Sequence, residues 1–378
     1  MKEIYLDYNA STPIAPEVAE AIRPFLSDHF GNPSSTHWAG SPARQAVEKA
    51  RGQIAGMLGC LPGEIVFTSG GTEANNHAIK GAFFALRDRG AHIITTQIEH
   101  PATLQPYRFL ERLGAQVTYL PVDGTGMVDP EEARKTMTPR TILVSVMHAN
   151  NEVGTIQPLA EIARTTRERG ILFHTDAAQS VGKIPTKVAD LGVDMLSIAG
   201  HKLYAPKGVG ALYIRQGVAL EPLIHGAGHE SGRRAGTENV LLDVALGTAC
   251  ELAAADLESC RARLTQLRDY LHAGLKELFG DYLKLNGHPT ERLPNTLNVG
   301  FAGRIGSHVL DGLESVAAST GSACHSGQYE LSPVLRAMDV FEAVGLGAVR
   351  FSLGRWTTAE ELDQVLGLFR SNILMRKM

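Results

Sequence analysis

Cysteine is scarce in this chain, four in 378 residues: Cys60, Cys250, Cys260 and Cys324. So few thiols in so long a chain do not make a disulfide framework, and without a CxxC pair a structural zinc site is not expected. Charge of one sign is missing too. The formal net charge of -4 leaves no broad basic surface, so direct nucleic-acid binding is not expected. No uninterrupted apolar run approaches the ~20 residues of a membrane span. The start, MKEIYLDYNASTP, lacks the apolar core of a signal peptide, and the expected location is the cytoplasm. What remains is ordinary for a globular protein: 44% hydrophobic and 20% charged residues, in a length sufficient for more than one domain.

Between residues 64 and 215, β-rich runs alternate with amphipathic helical stretches. EIVFTS precedes TEANNHAIKGAFFALRDRG; HIITTQI, QVTYLPV, TILVSVMHA, ILFHTDAA, DMLSIAG and VGALYIR follow. This alternation predicts an α/β fold with a mostly parallel central sheet, and nearly all-apolar strands predict helices over both of its faces. From residue 238 a proline-free stretch rich in Ala and Leu predicts a long helix, broken near Asp256, that leaves the first domain. NTLNVGFAG, VAASTGSA, AVRFSLG and a closing helix AEELDQVLGLFRSNI predict a smaller α+β domain. The expected division is residues 14–250 for the large domain, and 1–13 with 251–378 for the small one.

Polar residues gather at the ends of the predicted strands, where a parallel α/β sheet presents its ligands. Lys202 follows DMLSIAGH. A lone lysine there is usually a surface residue, yet a desolvated amine condenses with carbonyls. Asp176 ends ILFHTD; it suits a cap for the next turn or a partner for the protonated ring nitrogen of pyridoxal phosphate, with Gln179 near the ring edge. After Thr68, Gly70 and Gly71 open a helix near Thr72. Paired glycines at a helix start admit an anion such as phosphate, although GGT alone is common in turns and no Walker or GxGxxG fingerprint is present. His100 in IEHPA suits stacking on a flat ring or moving protons. Asn150 and Asn151 in HANNEVG lie within reach of a ring hydroxyl. Taken singly, each of these is more often a turn former. Five strand ends suited to the parts of one cofactor outweigh the separate turn-forming readings.

Three cysteines read as packing residues, Cys250 in VLLDVALGTACELAAA above all, because free cysteine behaves as a small hydrophobe. Cys324 breaks that habit. STGSACHSG surrounds it with small, flexible, polar residues that give a thiol almost nothing to pack against.

LDYNASTP, GNPSSTH, TSGGTEANN, EHPA, HANNEVGTIQP, HTDAAQ, GHKLYAPKGVG, RRAGTENV, STGSAC and VRFSLGRWTT run in order from residue 6 to 358. In these stretches, along essentially its whole length, the chain resembles the pyridoxal-phosphate-dependent cysteine desulfurases of the class V aminotransferase group, fold-type I. STGSAC is similar to the NifS/IscS-type branch, whose catalytic loop is long; the RxGHHCA setting of the other branch is absent. The resemblance implies pyridoxal 5'-phosphate held as a Schiff base on Lys202, with Asp176 on the ring nitrogen, Gln179 and Asn151 on the ring oxygen, and His100 stacked on the ring with an acid–base role. Gly71, Thr72 and His201 match phosphate contacts. Thr237 in RRAGTEN resembles the phosphate contact supplied by a second subunit, which implies a homodimer. Arg350 resembles the clamp on the substrate carboxylate, a bidentate role suited to its planar fork, and Asn32 and Asn151 resemble residues of the substrate side. No metal is implied.

The implied activity converts L-cysteine to L-alanine. Lys202 takes the α-proton, and Cys324, in the small domain, attacks the substrate sulfur and carries it as a persulfide to an acceptor or scaffold protein docking near its loop. Iron–sulfur assembly, tRNA thiolation and DNA phosphorothioation are all served by such enzymes. A thiol of ordinary pKa ~8.5 calls for local activation; His325 is adjacent, though it reads equally as an exposed loop residue. Two departures from the family pattern stand out. Ala199 takes a position where the family often has Ser, so the phosphate lacks a hydroxyl donor, a bond worth ~1.5–3 kcal/mol to a charged acceptor. HSGQYELSP differs from the SLEPS-like run common in the branch. The alternatives are a selenocysteine lyase or another class V aminotransferase-like enzyme, and a non-catalytic scaffold. An aminotransferase has no need of Cys324, and the joint presence of Lys202, Asp176, His100 and Cys324 argues against a scaffold.

Overall fold

The computed structural model describes residues 3–320, 322–325 and 328–375; the side chains of 322–325, 328 and 372–375 lie outside that description. The larger sheet has seven strands in the order Ile65–Thr68, Gly210–Ile214, Met195–Ala199, Leu172–Asp176, Thr141–Ser145, His92–Thr96 and Gln116–Leu120. Neighbours pair in parallel except at Gly210–Ile214, which is antiparallel to both of its neighbours. Side chains alternate between two cores as the pleat demands. Phe67, Ile94, Val144 and Leu196 face one core, shared with the helices Gly40–Leu58 and Val240–Ala255. Val66, Ile93, Leu143 and Met195 face the other, under the helices Gly71–Leu86 and Pro101–Glu111. Burial on both faces is why these strands read as apolar runs rather than alternating patterns.

The second sheet has four antiparallel strands, in the order Ser319–Thr320, Ala348–Ser352, Thr296–Phe301 and Leu283–Asn286. Its own core is built around Leu297, Val299, Phe301, Phe351 and Phe369. The chain start belongs here: Ile4–Tyr5 pairs in parallel with Val316–Ala317, and Ile4 and Leu6 enter this second core. The long helix expected from residue 238 is two helices, Val240–Ala255 and Leu257–Phe279, broken at Asp256. The first packs into the larger core with Cys250; the second brings Leu264, Leu271 and Leu275 to the smaller one. Cys60 and Cys260 are partly buried against these cores.

VAASTGSA, read as one strand, is divided among three pairings. Val316–Ala317 joins the chain start, Ser319–Thr320 joins the four-stranded sheet, and Ser322–His325 pairs antiparallel with Gln328–Leu331. Short Ser/Gly-rich runs bury little apolar surface, so nothing holds them in one straight element. Cys324 stands opposite Tyr329 in a hairpin, where the resemblance implied a loop. The Cys324 and His325 side chains, and any activation of the thiol, lie outside the described residues.

Candidate active site

The strand ends converge on one cavity of about 350 Å³, within the usual size range for small-molecule sites. Nine residues singled out in the sequence line it: Gly71, Thr72, His100, Asn151, Asp176, Gln179, His201, Lys202 and Arg350. The first eight come from the large sheet and its connections. Arg350 comes from the strand Ala348–Ser352 of the small sheet.

Lys202 closes a single 3-10 turn, Gly200–Lys202, directly after the strand Met195–Ala199. Its amine donates to the main-chain oxygens of Asn9, at 2.6 Å, and Ala10, at 2.7 Å. Burial pulls its pKa down to about 8, and the nearby Arg350 charge acts in the same direction. An amine so softened has a usable neutral fraction near pH 7 and attacks carbonyls. Asp176 is the last residue of its strand and 7% exposed. Its carboxylate accepts from Asn75 Nδ2 at 2.6 Å and from the Ala178 N–H at 2.9 Å, which fixes its orientation.

His100 caps the helix Pro101–Glu111, its Nδ1 accepting from the Ala102 N–H at 3.1 Å. That bond places the ring proton on Nε2. Burial lowers the pKa of His100, against the opposing pull of Asp176. His201 is pushed down to about 4, first by burial and then by the Lys202 charge. Both imidazoles are therefore neutral at pH 7.

The helix Gly71–Leu86 starts with no side-chain cap. Its first-turn acid, Glu73, is turned instead toward Arg234 Nε, at 2.9 Å, and the Ser69 N–H, at 2.8 Å. The N–H groups of this helix start are thus left for an anion. Gly71 keeps this start uncrowded, because a Cβ would lie 3.1 Å from the Ala199 Cβ, a tight contact. Ala199 itself lines the cavity with a methyl group.

Arg350 NH1 donates to the Asn151 carbonyl at 2.9 Å, and NH2 donates to Asp7 Oδ1 at 2.8 Å and Ser319 Oγ at 3.0 Å. Its Nε is buried without a partner.

Two candidates are not brought to the cavity. Asn32 is exposed, and its Oδ1 accepts from the Ser34 N–H at 2.9 Å; its side chain shapes a turn rather than the substrate side expected of it. Thr237 is also exposed and lies outside this chain's cavity. Asn150, unlike Asn151, is a buried turn former, accepting from the Glu152 and Val153 N–H groups and donating to the Ile98 carbonyl.

Sequence reasoning missed Asn9, Asn75 and Glu99. Asn9 and Asn75 line the cavity, and both stood unassigned inside the LDYNASTP and TEANN stretches. Glu99 is buried, and its Oε1 accepts from the Thr96 hydroxyl at 2.8 Å and the Met147 N–H at 2.9 Å. It ties the turn that carries His100 to the turn that carries Asn151. Burial pushes its pKa up to about 8. Its place directly before His100 was the only available signal.

A softened amine, a fixed carboxylate, a neutral imidazole and an uncapped helix start suit a flat aromatic aldehyde that bears a phosphate. The aminotransferase class-V family matches residues 4–365 of this chain. The cysteine desulfurase IscS of Dictyoglomus turgidum is 51% identical over 367 residues, covering 97% of this chain and 93% of that one. Among solved structures, a NifS-like protein superimposes with a TM-score of 0.92 at 39% identity, covering 99% of this chain and 100% of that chain. SspA, solved in complex with cysteine, superimposes with a TM-score of 0.82 at 38% identity, covering 94% of this chain and 100% of that chain. This chain belongs to the aminotransferase class-V family, whose enzymes depend on pyridoxal phosphate. Within that class it stands with the cysteine desulfurases. Among the described residues, no helix is long and apolar enough to cross a membrane.

Proposed function

We propose that this protein is a pyridoxal-phosphate-dependent cysteine desulfurase that converts L-cysteine to L-alanine and passes the sulfur to Cys324 as a persulfide. The observation that carries the reading is Lys202: an amine pulled down to about 8, in a cavity it shares with Asp176 and Arg350. Lys202 would hold the cofactor through a Schiff base. Gly71, Thr72 and His201 would hold its phosphate, Asp176 its ring nitrogen, and Gln179 and Asn151 its ring oxygen, with His100 to stack on the ring. When bound, the cofactor supplies an electron sink for the substrate's α-carbon.

The chain's own residues do the rest. Arg350, which lines the cavity, binds the substrate carboxylate, its plane held by Asp7 and Asn151. Once the substrate's amino group has displaced it from the cofactor, the Lys202 amine, basic near neutral pH, takes the α-proton from the carbon that Arg350 orients. The Cys324 thiolate bonds to the substrate sulfur as the carbon–sulfur bond breaks. That bond's electron pair stays with the carbon fragment, which gains protons and leaves as alanine. Residues 14–250 bear the cofactor in this reading; 1–13 and 251–378 bear the carboxylate arginine and the thiol. Thr237 serves the phosphate site of a second subunit in a homodimer. A cytoplasmic acceptor or scaffold protein collects the sulfur near Cys324, for iron–sulfur assembly, tRNA thiolation or DNA phosphorothioation.

The test is mass spectrometry of the Cys324 peptide after incubation of the holoenzyme with L-cysteine. One added sulfur is expected, with alanine in equal amount. A Cys324→Ala protein that still turned over L-cysteine fully would replace this reading with that of a lyase.

A further inference from the structure

One lysine beside the cavity has no part in the chemistry above. Lys183 follows Gln179 in the turn after the strand Leu172–Asp176 and does not line the cavity. Its Nζ donates to Gln179 Oε1 at 2.8 Å and to Asn9 Oδ1 at 3.0 Å. On its other side, Gln179 Nε2 donates to the Asn9 main-chain carbonyl at 2.9 Å. A carbonyl only accepts, so the Asn9 carbonyl fixes which end of the Gln179 amide carries Nε2 and leaves Oε1 to take the Lys183 N–H. Its oxygen faces Lys183, and one Nε2 hydrogen remains after the bond to Asn9. The Asn9 side chain is held in turn by Asn295 Nδ2, at 3.0 Å, and the Thr296 hydroxyl, at 2.8 Å.

We propose that Lys183 is a positioning residue that pins the Gln179 amide, keeping its second N–H available to the ring oxygen of the cofactor. The inference rests on the reading of Gln179 as a ring contact. The charged groups that bear on Lys183 are Lys202 and Arg350, both repulsive, and with burial they hold its pKa well below the usual lysine value. The charged groups that bear on Lys202 are Arg350, Asp7 and Asp176. A lysine kept in so unfavourable a place, between two neutral amides, is accounted for by what it holds still.

The test follows the visible absorbance of the holoenzyme against pH, together with the rate of cofactor loss on dialysis; neither depends on turnover. A donor to the ring oxygen stabilises its negative charge most when the Lys202 linkage has lost its proton. Losing the donor makes that proton harder to remove. Lys183→Met is expected to raise the absorbance midpoint by about one pH unit and to speed cofactor loss several-fold. Lys183→Gln, which keeps an N–H donor without the charge, should restore most of both. In a Gln179→Ala background, Lys183→Met should change neither. Lys183→Ala answers the same question if the methionine variant does not fold. If Gln179→Ala shifts the midpoint and Lys183→Met does not, the inference fails and the ring-contact reading stands. Equal shifts for Lys183→Met and Lys183→Gln would also overturn it. If Gln179→Ala shifts nothing, the ring-contact reading falls and takes the inference with it.

Discussion

Replacing Ala199 by serine should strengthen cofactor binding while leaving the cofactor-free protein little changed. Ala199 ends the strand Met195–Ala199, is 5% exposed, and lines the cavity against Gly71 at the start of the helix Gly71–Leu86. A serine hydroxyl there would stand beside the proposed phosphate position. Donated to a charged acceptor, such a bond is worth ~1.5–3 kcal/mol, and at ~1.4 kcal/mol per factor of ten that is a cofactor Kd about 10- to 100-fold lower. Without the phosphate, the same hydroxyl faces the cavity that Ala199 lines, so the apoprotein should change little. The assay is a cofactor titration of the apoprotein, paired with urea unfolding of the apo form of the wild type and Ala199→Ser. An unchanged Kd with an unchanged apo midpoint would refute the placement of the phosphate next to residue 199.

Two further outcomes follow from other parts of the molecule. Arg51 and Glu230 form a buried two-bond ion pair, both bonds at 2.8 Å, and Glu230 Oε2 also accepts from the Phe67 N–H at 3.0 Å. Glu230→Gln leaves the guanidinium only the more exposed Glu48 carboxylate, 3.4 Å from its Nε, and should cost ~3–5 kcal/mol in urea unfolding; a loss under ~1 kcal/mol would show that the pair contributes as little as an exposed one. Because the Lys202 pKa is lowered to about 8, its neutral, reactive fraction grows as pH rises toward that value and saturates above it. The rate at which apoprotein captures pyridoxal phosphate should rise and then level off accordingly, and a rate still climbing at pH ~10 would indicate an amine with the ordinary lysine pKa.

What the sequence made legible is what strand ends make legible. In a mostly parallel sheet the carboxyl ends of successive strands point the same way, so locating each strand also located Asp176, His100, Asn151 and Lys202 at one edge. The break at Asp256 was readable for a similarly local reason, a change in helical pattern within one stretch. The residues that escaped are set by contacts between distant parts of the chain. Asn9 meets Lys202, Gln179 and Thr296, and no periodicity near residue 9 encodes that. Asn75 looked like any polar residue in a first helical turn until the fold set it 2.6 Å from Asp176. Asn32 differs again: its motif carried it toward the site by resemblance, while in this chain it lies outside the cavity with its Oδ1 engaged in a local turn.

The chain start shows why the missed residues matter. Arg350 is 9% exposed, and a guanidinium so placed carries a desolvation cost of several kcal/mol unless a carboxylate offsets it. Asp7 supplies that carboxylate and also accepts from the Ser319 hydroxyl at 2.9 Å. Two residues further on, the Asn9 carbonyl accepts from the Lys202 amine. Residues 4–6 are anchored in the small core and paired beside Val316–Ala317, so a single short segment reaches from that core to both ends of the reacting centre. It steadies the arginine proposed to hold the carboxylate and the amine proposed to move the α-proton. The spacing between the Arg350 guanidinium and the Lys202 amine is therefore steadied by a piece of chain that has no catalytic group of its own.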